Sequence, residues 1–375
     1  MSIGIDELED LAVGAAFLGT GGGGDPYIGR LIATKAIQDC GEPTVLDLDQ
    51  VKDDDFVVTV AGYGAPTVQI EKLIGEGELE KALAKLEQHL KKKVTAIIPA
   101  EIGGSNSLVP IALASRCKLP VINADGMGRA FPELPMNVFS FNGISASPMI
   151  VTDEHCNTAI VETASDRTAE KITRAIAIEL GLRVFIGCYP MTGRMVRECA
   201  IEGTLSQAIA IGRSIRQRPP GSCAIESLMH CLSTIYPDRE SRVLFTGKIV
   251  DVQRDTADGF SKGSFRIEAF GSGQSAELIF QNEFLRVCVE DKLVAVVPDL
   301  ICVVDEETAS PITTGALRYG QRVKVIGIEA PPQLCSEQAL TYVGPECFGM
   351  DFPYKSIATL EAEAADKAPK SATAV

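Results

Sequence analysis

Three loops carry the residues whose types and spacing could do chemistry. The first is Asp125-Gly126-Met127-Gly128-Arg129-Ala130-Phe131-Pro132-Glu133, with two carboxylates, two glycines and one arginine. Asp125 or Glu133 could take a proton from water, and Arg129 could clamp a substrate carboxylate. A loop salt bridge would use the same residues. The second is Pro99-Ala100-Glu101-Ile102-Gly103-Gly104-Ser105-Asn106-Ser107. Glu101 could be an acid–base partner, while Gly103, Gly104, Ser105 and Asn106 could offer hydrogen bonds to a developing oxyanion. The plainer reading is a capping loop, with Ser105 or Asn106 as the cap. The third is Gly19-Thr20-Gly21-Gly22-Gly23-Gly24-Asp25-Pro26. Gly22, Gly23 and Gly24 would let a ligand approach the backbone, and Asp25 and Pro26 start a helix whose free N–H groups favour an anion. No Lys-Ser/Thr follows, so this is not a phosphate-binding P-loop. It follows a helix rather than a strand, which makes it a poor dinucleotide fingerprint. A tight helix–helix turn is the alternative.

Other residues carry less. His155 and Cys156 are adjacent in Asp153-Glu154-His155-Cys156-Asn157, and neighbours on a strand point to opposite faces, which disfavours a nucleophilic dyad. The eleven cysteines are scattered without a C-x-x-C, as expected of reduced thiols in a cytosolic protein. The three histidines are far apart, so no zinc cluster is expected. The sequence requires no cofactor, although a carboxylate-bound divalent metal stays open. Gln281-Asn282-Glu283, Val297-Pro298-Asp299 and Gly344-Pro345-Glu346-Cys347-Phe348-Gly349 read first as simple polar turns that could line a domain interface.

The elements that must position these loops follow from periodicity. The spacing predicts helices over 6–18, capped by Asp6 with Glu9, and over 26–39, 78–92, 107–115, 169–180 and 206–216. Short apolar runs at 56–60, 94–99 and 119–123 predict buried strands between them, hence an α/β domain with a largely parallel sheet. Ligands in such sheets sit outside the carboxyl ends of the strands, and the suggestive loops follow those ends. From about residue 243 short β-rich runs predict a barrel- or sandwich-like C-terminal domain. The expected division is 1–166 for the α/β domain, 167–358 for the second domain and 359–375 for a frayed, Ala-rich, charged tail.

The chain has 375 residues, is 46% hydrophobic and carries a net charge of −15. That charge argues against nucleic acid and against an anionic membrane surface, but leaves room for a small anionic substrate met by a local Arg or N–H groups. The opening residues have no basic region and no apolar core of signal-peptide length, and no run is long enough to span a bilayer, so a cytoplasmic location is expected.

Together the segments Gly21–Arg30, Gly64-Ala65-Pro66-Thr67-Val68, Glu101–Leu108, Asp125–Glu133, Phe280–Glu283, Val297–Ile301 and Leu317-Arg318-Tyr319-Gly320 resemble the S-methyl thiohydantoin desulfurase family over roughly residues 6–355. Glu346-Cys347-Phe348 departs from the family pattern, where a basic and then a small residue are expected. The resemblance implies an N-terminal α/β domain followed by a β-rich one. It also implies hydrolytic removal of sulfur, as a thiol, from a thiohydantoin ring to leave a hydantoin. On that chemistry Asp125 and Glu101 are the candidate base and acid, with Glu133 next. A substrate carboxylate would suit Arg129 or the glycine-loop N–H groups. A homo-oligomer or an assembly with a hydantoinase-related partner is expected. The rival readings are a non-catalytic subunit of a hydantoinase/oxoprolinase-type assembly and a small-ligand-binding regulator.

Overall fold

The computed structural model describes residues 2–64, 68, 71–72, 74–75, 77–257 and 260–367. Ala65, Pro66 and Thr67 of the motif noted above lie outside the described residues.

The first sheet is built on apolar runs whose alternate side chains serve two cores. Its strands are β1 (Val45–Leu46), β2 (Phe56–Gly64), β3 (Ala96–Pro99), β4 (Val121–Ile122), β6 (Met149–Thr152), β7 (Thr158–Val161) and β8 (Arg183–Thr192), in the order β1-β4-β3-β2-β8-β6-β7. The two-residue strand β5 (Ala124–Asp125) stands apart and pairs with β9 (Ile201–Glu202). Strands β1, β4, β3 and β2 pair in parallel, and β8, β6 and β7 complete the sheet antiparallel. Val58, Val60 and Ile97 enter one apolar core, while Val57, Ala96 and Ile98 enter the other, on the two faces that period-two geometry dictates. A strand buried on both faces reads as a continuous apolar run, which is why β2 and β3 are legible in the sequence.

Helices cover the sheet. Helix Ile5–Leu18 packs on helix Thr204–Arg216, where a Cβ at Gly14 or Gly212 would overlap the backbone of Ala208 or Asp10. The expected Asp6 cap is corrected: Gly4 is the N-cap, and its N–H donates to Glu7 Oε2 at 3.1 Å. Asp25 does cap the next helix, Pro26–Cys40, accepting from the Tyr27 N–H at 2.8 Å. The helix after β3 runs Ser105–Cys117, starting at Gly104 with φ 49°, and neither Ser105 nor Asn106 caps it through a side chain. Asn106 is put to another use at the site.

The C-terminal region is a seven-stranded antiparallel sheet that curls into a half-barrel. Its strands are β10 (Ser241–Ala257), β11 (Phe260–Glu268), β12 (Ser275–Gln281), β13 (Glu283–Val289), β14 (Lys292–Val296), β15 (Leu300–Asp305) and β16 (Arg322–Ile328), in the order β14-β13-β12-β11-β10-β16-β15. Irregularities in β10 between Val243 and Phe245 and between Ile249 and Asp251 bend the long strand. The described residues end on a helix, Ile357–Lys367, whose first N–H donates to Asp299 Oδ2 at 2.9 Å; residues 368–375 lie outside them. No helix among the described residues is long and apolar enough to cross a membrane.

Candidate active site

The glycine-rich run and the loop after β3 lie against each other. A Cβ at Gly23, where φ is 81°, would overlap the carbonyl of Gly103, so only glycine fits. Two N–H groups of the following helix start, Asn106 at 3.2 Å and Ser105 at 3.4 Å, donate to the Gly23 and Gly24 carbonyls. The run is also stitched to the half-barrel. Phe284 N–H donates to Thr20 O at 2.8 Å, and Thr314 N–H donates to Gly21 O at 3.1 Å. A Cβ at Gly22 would overlap the Oε1 of Glu283. Part of this glycine run therefore serves to admit neighbouring protein groups.

Beside this junction opens a cleft of about 620 Å³, mouth included. Its walls come from Gly23 and Gly24, the end of β2, the loop after β3, the Phe131–Leu134 segment, Arg174, and Asn282 and Glu283 of the half-barrel. This is the carboxyl-end position expected of the parallel strands.

Glu101 lines the cleft and is 6% exposed. The Asn106 amide donates to its Oε1 at 2.6 Å, and the Phe131 N–H donates to Oε2 at 3.3 Å. Asn106 is itself clamped to β2: it accepts from Gly62 N–H at 2.8 Å and donates to Gly62 O at 3.2 Å. Burial pushes the Glu101 carboxyl up to about 8 against the pull of those two donors.

Glu283 enters from the half-barrel and is 3% exposed, and its Oε2 has no hydrogen-bond partner. Burial, reinforced by the negative charge of Glu101, holds its carboxyl well above the ordinary range, while the Arg129 cation opposes the shift. Burial holds both carboxyl groups largely protonated at neutral pH, and ionising one opposes ionising the other.

Glu133 also lines the cleft, half-buried, its carboxyl raised by burial and then by Glu170. Glu170 accepts from the Tyr63 hydroxyl at 2.6 Å and from Arg174 Nε at 2.7 Å. The Arg174 guanidinium stacks on the Tyr63 and Phe260 rings, 4.8 and 4.3 Å from their centroids, and donates to Pro132 O at 3.2 Å. Burial and the neighbouring Glu170 hold the Tyr63 phenol in its protonated form.

Other residues singled out in the sequence sit elsewhere. Asp125 is completely buried and does not line the cleft. Its Oδ2 accepts from the N–H groups of Ile102 at 2.8 Å, Gly128 at 2.8 Å and Met127 at 3.2 Å. Burial raises its carboxyl to about 7, and those three N–H groups and the Thr204 hydroxyl act against the rise. The contact with Ile102 ties the turn after β5 to the residue following Glu101.

Arg129 is also completely buried and off the cleft lining. It donates to Asp299 O at 2.7 Å, Thr20 Oγ1 at 2.8 Å and Phe284 O at 3.0 Å, which joins the glycine run, its own loop and the half-barrel. With those partners it is not free to clamp a substrate carboxylate, so that expectation is corrected. Asp25 and Ser105 border a smaller neighbouring pocket with Lys72 and Arg183. Gly22, Gly103 and Gly104 lie behind the lining, as backbone that lets the loops meet.

His155 is exposed beside Glu154, and Cys347 is exposed near Thr341, and neither lines the cleft. Asp299 is buried and accepts from Tyr354 and Ala330. Among the described residues no group of three or more His, Cys, Asp or Glu is placed to hold a metal ion. The residues that sequence reasoning passed over are Arg174, inside an ordinary amphipathic helix, and Asn282 with Glu283, read as a simple turn. Only the presence of Phe280–Glu283 among the segments that carry the family resemblance pointed to the latter.

An α/β layer is joined to a curled antiparallel sheet, and buried carboxylates from both halves line one cleft. The chain belongs to the S-Me-THD-like family: the model of the S-Me-THD-like N-terminal domain matches residues 6–163, and that of the S-Me-THD-like C-terminal domain matches residues 164–357. Among solved structures, an X-ray structure of a protein from Chromobacterium violaceum is similar at 22% identity with a TM-score of 0.81, covering 95% of this chain and 100% of that one. The likeness is one of fold. No curated protein matches the chain.

Proposed function

We propose that the protein is a hydrolase-type desulfurase that acts on an S-methyl thiohydantoin or thiohydantoin ring, releases a thiol and leaves a hydantoin. Family membership supports the substrate class. The observation that carries the chemistry is the pair Glu101 and Glu283, two buried carboxylates with raised pKa in one cleft. Once Glu101 ionises in mildly alkaline solution while Glu283 stays protonated, the pair offers both a base and an acid.

Ionised Glu101 takes a proton from water as its oxygen attacks the ring carbon that carries sulfur. The Glu283 proton passes to the adjoining ring nitrogen, whose lone pair forms the N–H bond. When the tetrahedral centre collapses, its hydroxyl proton returns to Glu283 and the C–S bond breaks. The departing sulfur takes the proton held by Glu101, which restores both carboxyl groups. Asp125 acts as a positioning residue through the Ile102 N–H, and Asn106 orients Glu101.

Incubating the purified protein with S-methyl thiohydantoin and titrating free thiol tests this reading. The expected result is enzyme-dependent thiol release that Glu101→Gln lowers by about 10²- to 10⁴-fold. Folded protein that releases none would overturn it.

A further inference from the structure

The balance of charge in the cleft sets what can enter it. Glu101, Glu133 and Glu283 line it, and Arg174, the one arginine in the lining among the described residues, is engaged by Glu170. A ligand carrying its own carboxylate would meet no unengaged cation among the described lining residues. Glu283 has the sharper requirement. Its Oε2 is buried and unpartnered in a residue only 3% exposed, and such an oxygen calls for a donor from the ligand. The charged groups that face it are Glu101 from the loop after β3, Arg129 from the loop after β5, and Arg174 from helix Asp166–Glu179. Arg129 already spends its donors on Thr20, Phe284 and Asp299.

We propose that the cleft recognises its ring as a planar cyclic amidinium whose N–H donates to the bare Oε2 of Glu283, and that sulfur-free cyclic amidines are ligands for the same reason. This rests on the site assigned above but not on its turnover. For a neutral imine-type ring, the Glu283 O–H bond breaks with its electron pair left on oxygen, and the ring nitrogen lone pair takes the proton. A ring that arrives already as a cation meets protonated Glu283 and expels that proton to solvent. Either route ends in the same charge-assisted pair. A cyclic urea of the same size has no basic nitrogen and cannot form it.

Calorimetric titration of the wild-type protein at neutral pH with methylimidazoline, a cyclic amidine, and with imidazolidinone, its neutral urea counterpart, tests the proposal. The amidine should bind on the order of tenfold or more tighter, the difference between a charge-assisted and a neutral hydrogen bond. Repeating the titration in buffers of different ionisation enthalpy should show proton release, because the added cation ionises Glu283. Glu283→Gln should abolish both the preference and the release. The buffer comparison on unaltered protein gives an answer even if that variant fails to fold. Equal affinity for the two rings, absence of proton release, or displacement of the amidine by magnesium or zinc would each overturn the proposal. Amidine preference without thiol release from S-methyl thiohydantoin would leave this inference standing and sink the desulfurase reading, and thiol release without the preference would do the reverse.

Discussion

Glu101 offers the sharpest test, because its burial links stability to catalysis. Its carboxyl is raised from 4.5 to about 8, chiefly by loss of solvation. A carboxyl whose folded-state pKa lies above its unfolded value favours folding while it is neutral. That contribution is fully present below the unfolded pKa and is lost as pH rises through the folded one. At 1.36 kcal/mol for each pKa step, ionising Glu101 in place costs roughly 5 kcal/mol of stability. Glutamine keeps an acceptor for the Asn106 amide and never ionises. The unfolding free energy of Glu101→Gln minus that of the wild type should therefore rise by roughly that amount between about pH 4 and about pH 9. The difference removes the direct titration of Glu101 and relieves the rise it imposes on Glu283. Urea unfolding followed by circular dichroism across that range measures it. A pH-independent difference would refute the claim that Glu101 is buried and hard to ionise, and with it the basis for its role as base. The same variant should lose about 10²- to 10⁴-fold in thiol release, the usual contribution of a positioned general base.

The pH profile carries a second consequence. If Glu101 must be ionised to accept the water proton, kcat/KM should fall as pH drops below about 8, and Glu101→Gln should lack that limb; a profile flat from neutral to mildly alkaline pH would exclude it. Gly22→Ala should fold yet lose activity, because its Cβ would displace the Glu283 carboxylate; a stability loss of about 1–3 kcal/mol is expected from the overlap, and unchanged kinetics would show that the position of Glu283 is immaterial. Arg129→Met should cost about 3–5 kcal/mol in chemical unfolding, as removal of a buried, fully partnered cation does; a near-neutral result would mean that this arginine does not hold the two sheets together.

Residues with local reasons for their structure were legible in the sequence. Asp25 and Pro26 open their helix because a short oxygen-bearing side chain and a fixed φ suit those positions wherever they occur. The strands β2 and β3 announce themselves because a doubly covered strand is apolar throughout. The cleft was foreshadowed by the loops after β3 and β5, which supplied Glu101 and Asn106, and Glu133. The cap of the first helix was misjudged because Glu7, rather than Asp6, reaches back to the preceding backbone, a choice made by the local chain path.

Asp125 and Arg129 mark where sequence reasoning ends. Both have the right chemistry for a site and sit in a loop with the right position, yet Asp125 Oδ2 accepts from three backbone N–H groups and Arg129 donates to backbone carbonyls and the Thr20 hydroxyl within the protein. Arg129 meets Asp299 across 170 residues of chain, and no local pattern encodes that meeting. Glu283 shows the converse: a carboxylate at the start of an ordinary strand becomes a strained acid only when folding brings it under Gly22 and beside Glu101. The sequence by itself determined the elements, the glycine loops and the kind of chemistry available, since these depend on periodicity and on side-chain type. Only the tertiary structure decided which carboxylates face the cleft, because burial, desolvation and pairing are set by residues distant in the chain.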